Sequence, residues 1–378
     1  MTPTPILPSA TLSPGLPSPT PTPHTSIIFV DLIWIDETVG WAVATYPWQI
    51  LRTEDGGQTW QDVSPSDLPT AQLFSLNRLD AWIVQAQPDM LYRTQDGGLT
   101  WEIFQLPFTN SKIKFWDAST GYAVATPNGC GAGSCLVELY QSSDGGETWR
   151  QVMLNSPYTP PTNGGVFPGA ISIISGQHFS MNNPSTLWLT GGLWVNDQHG
   201  NTLPFWVSWD TGTSWQPLQF PMPDGAPGSG IPKEVSPPIF LNDHEGYLAT
   251  WYTDDTDGIN PQGFMAFFYT EDGGQTWVAR PGVVPIAPYR GNFDIVSPTD
   301  IFVLCEKTLC VTHDGAQTWQ TIASNIQFES REDQSISVLD FVSPSIGWIF
   351  INQGEGQGTL LKTTDGGVTW ELFQYTVK

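Results

Sequence analysis

Positive charge is scarce in this chain: 13 Lys plus Arg stand against 37 Asp plus Glu in 378 residues, a net charge of -24. Nothing here could neutralise a run of phosphates, which argues against nucleic acid as a partner. Charged residues of both signs reach only 13%, about half the usual share for a soluble domain. No apolar run approaches the roughly 20 residues that a membrane helix needs, so no transmembrane segment is expected. Sustained 3.6-residue periodicity is missing too, which leaves helical architectures without support. What is abundant is turn chemistry and aromatic surface: Gly 37, Pro 33 and Trp 18. Such a chain is too aromatic to be disordered and reads as a β protein, expected to be a monomer.

Residues 1–26 stand apart. They carry eight prolines, from Pro3 to Pro23, and no Lys, Arg, Asp or Glu. Alternating Thr-Pro and Ser-Pro favours polyproline II and offers no apolar face to bury. The segment reads as a linker, disordered in the sense of lacking a packed core and extending roughly 3.1 Å per residue. The basic and apolar regions of a signal peptide are both missing from it. A spacer of this kind is expected to follow an export signal or a lipid-anchored cysteine; a disordered cytoplasmic tail is the alternative. The folded unit is expected over residues 27–378.

One pattern recurs seven times: Ser/Thr, any residue, Asp, Gly/Thr, Gly/Ala, any residue, Ser/Thr, Trp. Its aspartates are Asp55, Asp96, Asp144, Asp210, Asp272, Asp314 and Asp365, and copies such as TEDGGQTW and TTDGGVTW end on Trp60 through Trp370. The chemistry is that of a tight hairpin. A short Asp side chain accepts hydrogen bonds from backbone N–H groups just downstream. Glycines supply positive φ, and the Trp packs beneath the turn. These aspartates are therefore expected to be turn residues rather than ligands or catalysts.

Before every copy an aromatic sits in a short apolar strand: Trp41, Trp82, Tyr122, Trp188, Tyr247, Phe302 and Trp348. Ahead of each lies another alternating run, as at Val30–Ile35 and Val338–Val342. The unit is then four short strands, a to d, with the box between c and d. Units of this length, repeated seven times, predict an all-β, seven-bladed β-propeller of four-stranded antiparallel blades.

The repeated box resembles that of the Asp-box, or bacterial neuraminidase repeat, β-propellers. Together with GWAVA and strands ending in Arg-Thr it is most similar to the photosystem II stability and assembly factor family. The resemblance spans about residues 27–376 and implies the fold. It implies little about activity, because Asp boxes occur in sialidases, xyloglucan-cleaving glycosidases, sorting receptors and assembly factors alike. A sialidase needs three arginines about the substrate carboxylate, whereas four of the seven here, Arg52, Arg93, Arg150 and Arg280, flank boxes. The arginine-bearing patch of the assembly factors is not matched either, and an acidic surface favours a basic or neutral partner.

The cysteines fall as Cys130-x4-Cys135 and Cys305-x4-Cys310, both read as b–c connections, in blades 3 and 6. Facing cysteines of a hairpin satisfy disulfide geometry, and the spacing is unlike that of zinc sites. Two local disulfides are expected, which points to an oxidising, extracellular or cell-surface location.

Chain direction places b–c and d–a connections on one face and the boxes on the other. Extra length gathers on the first of these, in blades 3 to 5, roughly at Asn155–Gln177, Gly191–Pro204, Pro217–Pro238 and Trp251–Gly263. Long loops on a rigid scaffold are places for binding. Tyr158, Phe167, Trp194, Asp197, Trp251 and Tyr252 are the expected contact residues, suited to a protein partner first and a glycan second. Asp254, Asp255 and Asp257 give carboxylates the alternation of a calcium loop. The first and twelfth positions are Thr253 and Phe264, however, so this is no EF-hand and at most a weak calcium site. No other cofactor is expected. The reading is a non-catalytic binding propeller, with a glycoside hydrolase or lyase acting at the same face as the alternative.

Overall fold

The structure, a computed structural model, describes residues 27–378 apart from 46, 67, 69–71, 87–88, 128–129, 132–133, 156–178, 191–204, 219–222, 224–233, 255–261, 287–290, 329–334 and 355–356. The strands fall into seven antiparallel blades. Blade 1 runs outward from Ile28–Trp34 through Gly40–Thr45 and Gln49–Thr53 to Thr59–Asp62. Blade 2 starts at Gln72–Ser75, blade 3 at Ser111–Phe115, blade 4 at Phe179–Asn183, blade 6 at Phe293–Ile295 and blade 7 at Ser335–Phe341. Blade 5 splits its inner strand into Glu234–Val235 and Ile239–Phe240, both paired with Gly246–Asp254. The two-residue strands Cys130–Gly131 and Ser134–Cys135 form a small separate ribbon in the b–c connection of blade 3.

The box geometry repeats. In blade 1 the Thr53 hydroxyl donates to Asp55 Oδ1 at 2.9 Å and accepts from Gly57 N–H at 2.9 Å. Asp55 Oδ1 also accepts from Thr59 N–H at 2.8 Å. Asp272 and Asp314 make the same set of bonds in blades 5 and 6. The N–H after each box aspartate donates to the a–b turn of its own blade, as Gly56 to the Thr38 carbonyl and Gly366 to the Ser345 carbonyl. This fixes the boxes and a–b turns on one face. Desolvation pushes the Asp55 carboxyl up, but the hydrogen bonds from Thr59 and Thr53 outweigh it and hold it low. Asp314 is held down to about 2, chiefly by the Thr318 hydroxyl and N–H. These carboxylates are occupied in holding turns.

The strand-b aromatics fasten neighbouring blades. Trp82 stacks on Phe115 of blade 3 at 4.0 Å, Phe302 on Phe341 of blade 7 at 3.7 Å, and Trp348 on Trp34 of blade 1 at 3.9 Å. Where the aromatic is tyrosine its hydroxyl reaches across instead: Tyr122 donates to the Pro184 carbonyl and Tyr247 to the Pro298 carbonyl. Flat rings fill a wedge between radial sheets without leaving voids, and burying each contributes about 2–3 kcal/mol.

Ring closure shortens the outer strand of blade 7. That strand is only Glu371–Leu372. The chain then crosses to blade 1, where Thr376–Val377 pairs in parallel with Thr59–Trp60 as a fifth strand. Tyr375 packs on Phe29 at 5.2 Å, and Ile28 and Phe29 belong to the inner strand of blade 1.

The Cys305–Cys310 disulfide is present, with Cα atoms 5.8 Å apart. It corrects the picture of cysteines facing each other in a connection. Both lie in strands, Cys305 opposite Thr308 and Cys310 opposite Val303, so the bond runs diagonally across the hairpin. In blade 3, Cys130 and Cys135 are direct backbone partners; their side chains lie outside what is described.

Candidate binding face and central channel

Antiparallel pairing of strands a to d within each blade sends every b–c and d–a connection to the face away from the boxes. The segments expected to carry Tyr158, Phe167, Trp194 and Asp197 leave and re-enter the fold at strand ends on that face, and these four residues lie outside the described residues. The fourth insertion is shorter as a loop than expected. Pairing of strands b and c in blade 5 continues through Trp251↔Met265 and Thr253↔Gly263 to Asp254↔Gln262. Aromatic and β-branched residues there have a partner strand to pack on, so the hairpin extends instead of opening.

That extension separates the two aromatics in blade 5. Trp251 is half-buried, tilted against Phe293 of blade 6 at 5.8 Å, and keeps part of its indole in solvent. Tyr252, on the other side of the pleat, is buried at 2% exposure and packs inside the sheet. Asp254 ends strand b, while Asp255 and Asp257 lie outside the described residues. Among the described residues no three His, Cys, Asp or Glu converge to hold a metal ion.

The box-flanking arginines are structural. Arg52 donates to the Arg78 carbonyl of blade 2, and Arg93 donates to the Asp144 carbonyl of blade 3 at 2.7 Å. Arg78 pairs with Asp36 at 2.7 Å. They bridge blades.

A group that sequence reasoning passed over lines the inner strands. Asp294 of blade 6 accepts a hydrogen bond from Phe341 N–H of blade 7 at 2.5 Å. Asp340 of blade 7 accepts one from Trp34 N–H of blade 1 at 3.1 Å. Burial raises both carboxyls above the usual carboxylate range, and Asp340 further because Asp294 lies beside it. Blade 3 supplies the opposite charge. Burial lowers the Lys114 ammonium to about 8, and that of Lys112 is lowered by burial with Asp31 partly countering. Asp31 is exposed to solvent, yet surrounding protein desolvates it enough to raise its carboxyl. Enclosure together with accessibility is what a side chain lining a water-filled channel experiences. Aligning the repeats on their strand-b aromatics finds Lys114, Asp294 and Asp340, because the residue paired with each aromatic is Ile33, Phe74, Lys114, Ser180, Ile239, Asp294 or Asp340.

Comparison with known proteins agrees with this architecture. A family model described as Sortilin, neurotensin receptor 3 (Sortilin-Vps10) matches residues 48–157. Among solved structures, a YCF48 bound to D1 peptide is 18% identical with a TM-score of 0.54, covering 90% of this chain and 93% of that one. YCF48 from Cyanidioschyzon merolae is 16% identical with a TM-score of 0.51, covering 90% of this chain and 97% of that one. An oligogalacturonate lyase from Vibrio parahaemolyticus also reaches a TM-score of 0.54 at 8% identity, covering 91% of this chain and 92% of that one. No relative matches among the curated proteins. Likeness at such identity speaks for fold alone. The chain is a seven-bladed β-propeller, and its similarity to the YCF48 structures is one of architecture.

Proposed function

We propose that this propeller is an exported or surface-tethered, non-catalytic binding module whose partner docks on the face opposite the boxes, over blades 3 to 5. The observation that carries the reading is topological: the long connections of those blades all emerge on one side of a ring whose other side is taken up by boxes and tight turns. Trp251 adds a partly exposed indole on that side, the kind of rigid aromatic that anchors interfaces. A protein is the first partner class and an extracellular glycan the second. The peptide-bound YCF48 supports the former by analogy of fold. The Cys305–Cys310 bond supports an oxidising location.

The test is a binding screen of the purified chain against peptide and glycan arrays, repeated with Trp194→Ala/Trp251→Ala. Loss of the wild-type hits in the double variant is expected; hits that persist unchanged would sink the proposed face. Calcium at Asp254, Asp255 and Asp257 is checked in the same preparation by titrating the ion and following melting temperature.

The Asp294 and Asp340 pair favours a second reading, a carbohydrate hydrolase or lyase, because paired carboxylates perform acid–base work on glycosidic bonds. Sugar release from glycan polymers that survives purification and disappears in Asp340→Asn would replace the binding reading with this one.

A further inference from the structure

The seven inner-strand residues paired with the strand-b aromatics form one layer around the central channel: Ile33, Phe74, Lys114, Ser180, Ile239, Asp294 and Asp340. In a ring of seven, blade 3 stands across from the boundary between blades 6 and 7. Lys114 therefore stands on the blade across the ring from the two that carry Asp294 and Asp340. Each of those carboxylates has Oδ2 on a backbone N–H of the following blade, which fixes its position and turns no cation toward its other oxygen. Lys114 has no ion pair or hydrogen bond among the described residues. Beside it in the ring, Ser180 is 5% exposed and its hydroxyl has no hydrogen-bond partner. A buried hydroxyl without a partner costs about 1–3 kcal/mol unless water or a ligand meets it.

We propose that this layer is a binding site for a small zwitterion of the amino-acid class, its ammonium set against Asp294 and Asp340 and its carboxylate against Lys114 and Ser180. The arrangement selects both charges together. A cation alone satisfies the carboxylates but is repelled by Lys114, and an anion alone is repelled by the carboxylates. A divalent metal lacks a third ligand among the described residues. Ile33 and Ile239 supply apolar wall for the methylenes that join the two charged ends, while Phe74 packs against Trp82 and Phe115 between blades 2 and 3. Access is from the loop face. One step toward it, Asp31 and Lys112 lie opposite Val43 and Val124 in their blades, and Asp31 is exposed. Because burial and mutual repulsion keep a proton on the empty carboxylate pair near neutral pH, an arriving ammonium displaces it, and binding releases a proton. This site is independent of the loop-face reading.

The experiment uses the purified full chain and calorimetry with glycine, 4-aminobutanoate and 6-aminohexanoate, with butylamine and butanoate as singly charged controls. At least one zwitterion is expected to bind tenfold or more tightly than either control. Its heat should differ between two buffers of unlike ionisation enthalpy, reporting proton release from the wild-type protein without any substitution. Lys114→Met and Asp340→Asn, each confirmed folded by circular dichroism, should weaken binding at least tenfold. The proposal is overturned if no zwitterion binds, if butylamine binds as well as the best of them, if heats are the same in both buffers, or if Lys114→Met leaves affinity unchanged.

Discussion

Val377 lies in parallel register beside Trp60, so residues that follow the last blade complete the outer edge of the first. Thr376 N–H donates to the Gln58 carbonyl, Lys378 N–H to the Trp60 carbonyl, and Asp62 N–H to the Lys378 carbonyl, all at 2.9–3.0 Å. Phe373 and Tyr375 pack into the same core as Phe29, Trp34 and Trp60. Deleting residues 374–378 removes these bonds and the Tyr375 ring at once. A loss of about 3–5 kcal/mol is expected from the burial and hydrogen-bond terms together. Urea unfolding of the truncated chain checks it; an unchanged midpoint would show that the aromatic stack between Trp34 and Trp348 closes the ring unaided.

Thr211 occupies a box position with φ of 61°, where the other six copies have glycine. An L side chain is strained in that region by about 1 kcal/mol, whereas glycine enters it without a Cβ penalty. Thr211→Gly is therefore expected to stabilise the protein by about 0.5–1 kcal/mol. The reverse change at a matched site, Gly273→Thr, should destabilise, since a Cβ there would stand 3.0 Å from the Asp243 carbonyl oxygen. Paired melting curves of the two variants give the sign.

Asp294 and Asp340 make stability fall with rising pH. Their folded carboxyls are raised above the unfolded value, so the folded state holds the extra protons. That contribution is whole below about pH 4, the ordinary carboxyl value, and is lost as pH climbs through the raised range. Asp340→Asn keeps an acceptor for Trp34 N–H and removes the repulsion. Its melting temperature should exceed that of the wild type by about 2–4 °C at pH 9, and the gap should close by pH 4. The box aspartates act with the opposite sign. Asp314, held near 2, contributes above the ordinary carboxyl range and loses that contribution in strong acid.

Cys305 and Cys310 close a short loop within one hairpin. Chain entropy then limits the bond to about 2 kcal/mol. Cys305→Ser/Cys310→Ser should fold and unfold cooperatively with that modest loss, and intact-mass measurement after thiol alkylation should show no modification at either position in the native wild type. Labelling there without reductant would remove the support for an oxidising location.

Each box is built from bonds within about eight residues, Thr53 to Asp55 to Thr59 and its six repeats. For that reason the turn, the strand order and the number of blades could be read from residue types and spacing. The strand-b aromatics were equally legible, since an aromatic in an apolar run states its burial directly. Ring closure was not, because Val377 meets Trp60 only once seven blades have brought the two ends of the chain round to each other. The diagonal placement of Cys305 and Cys310 depended on a register that their spacing left open. Asp340 and Lys114 were hidden for another reason. One charge in an alternating strand looks like a solvent-facing residue, and only the curvature of the ring turns the inner strands of blades 3, 6 and 7 toward a shared channel. Local hydrogen bonding specified the blade; long-range packing decided which side chains share a space.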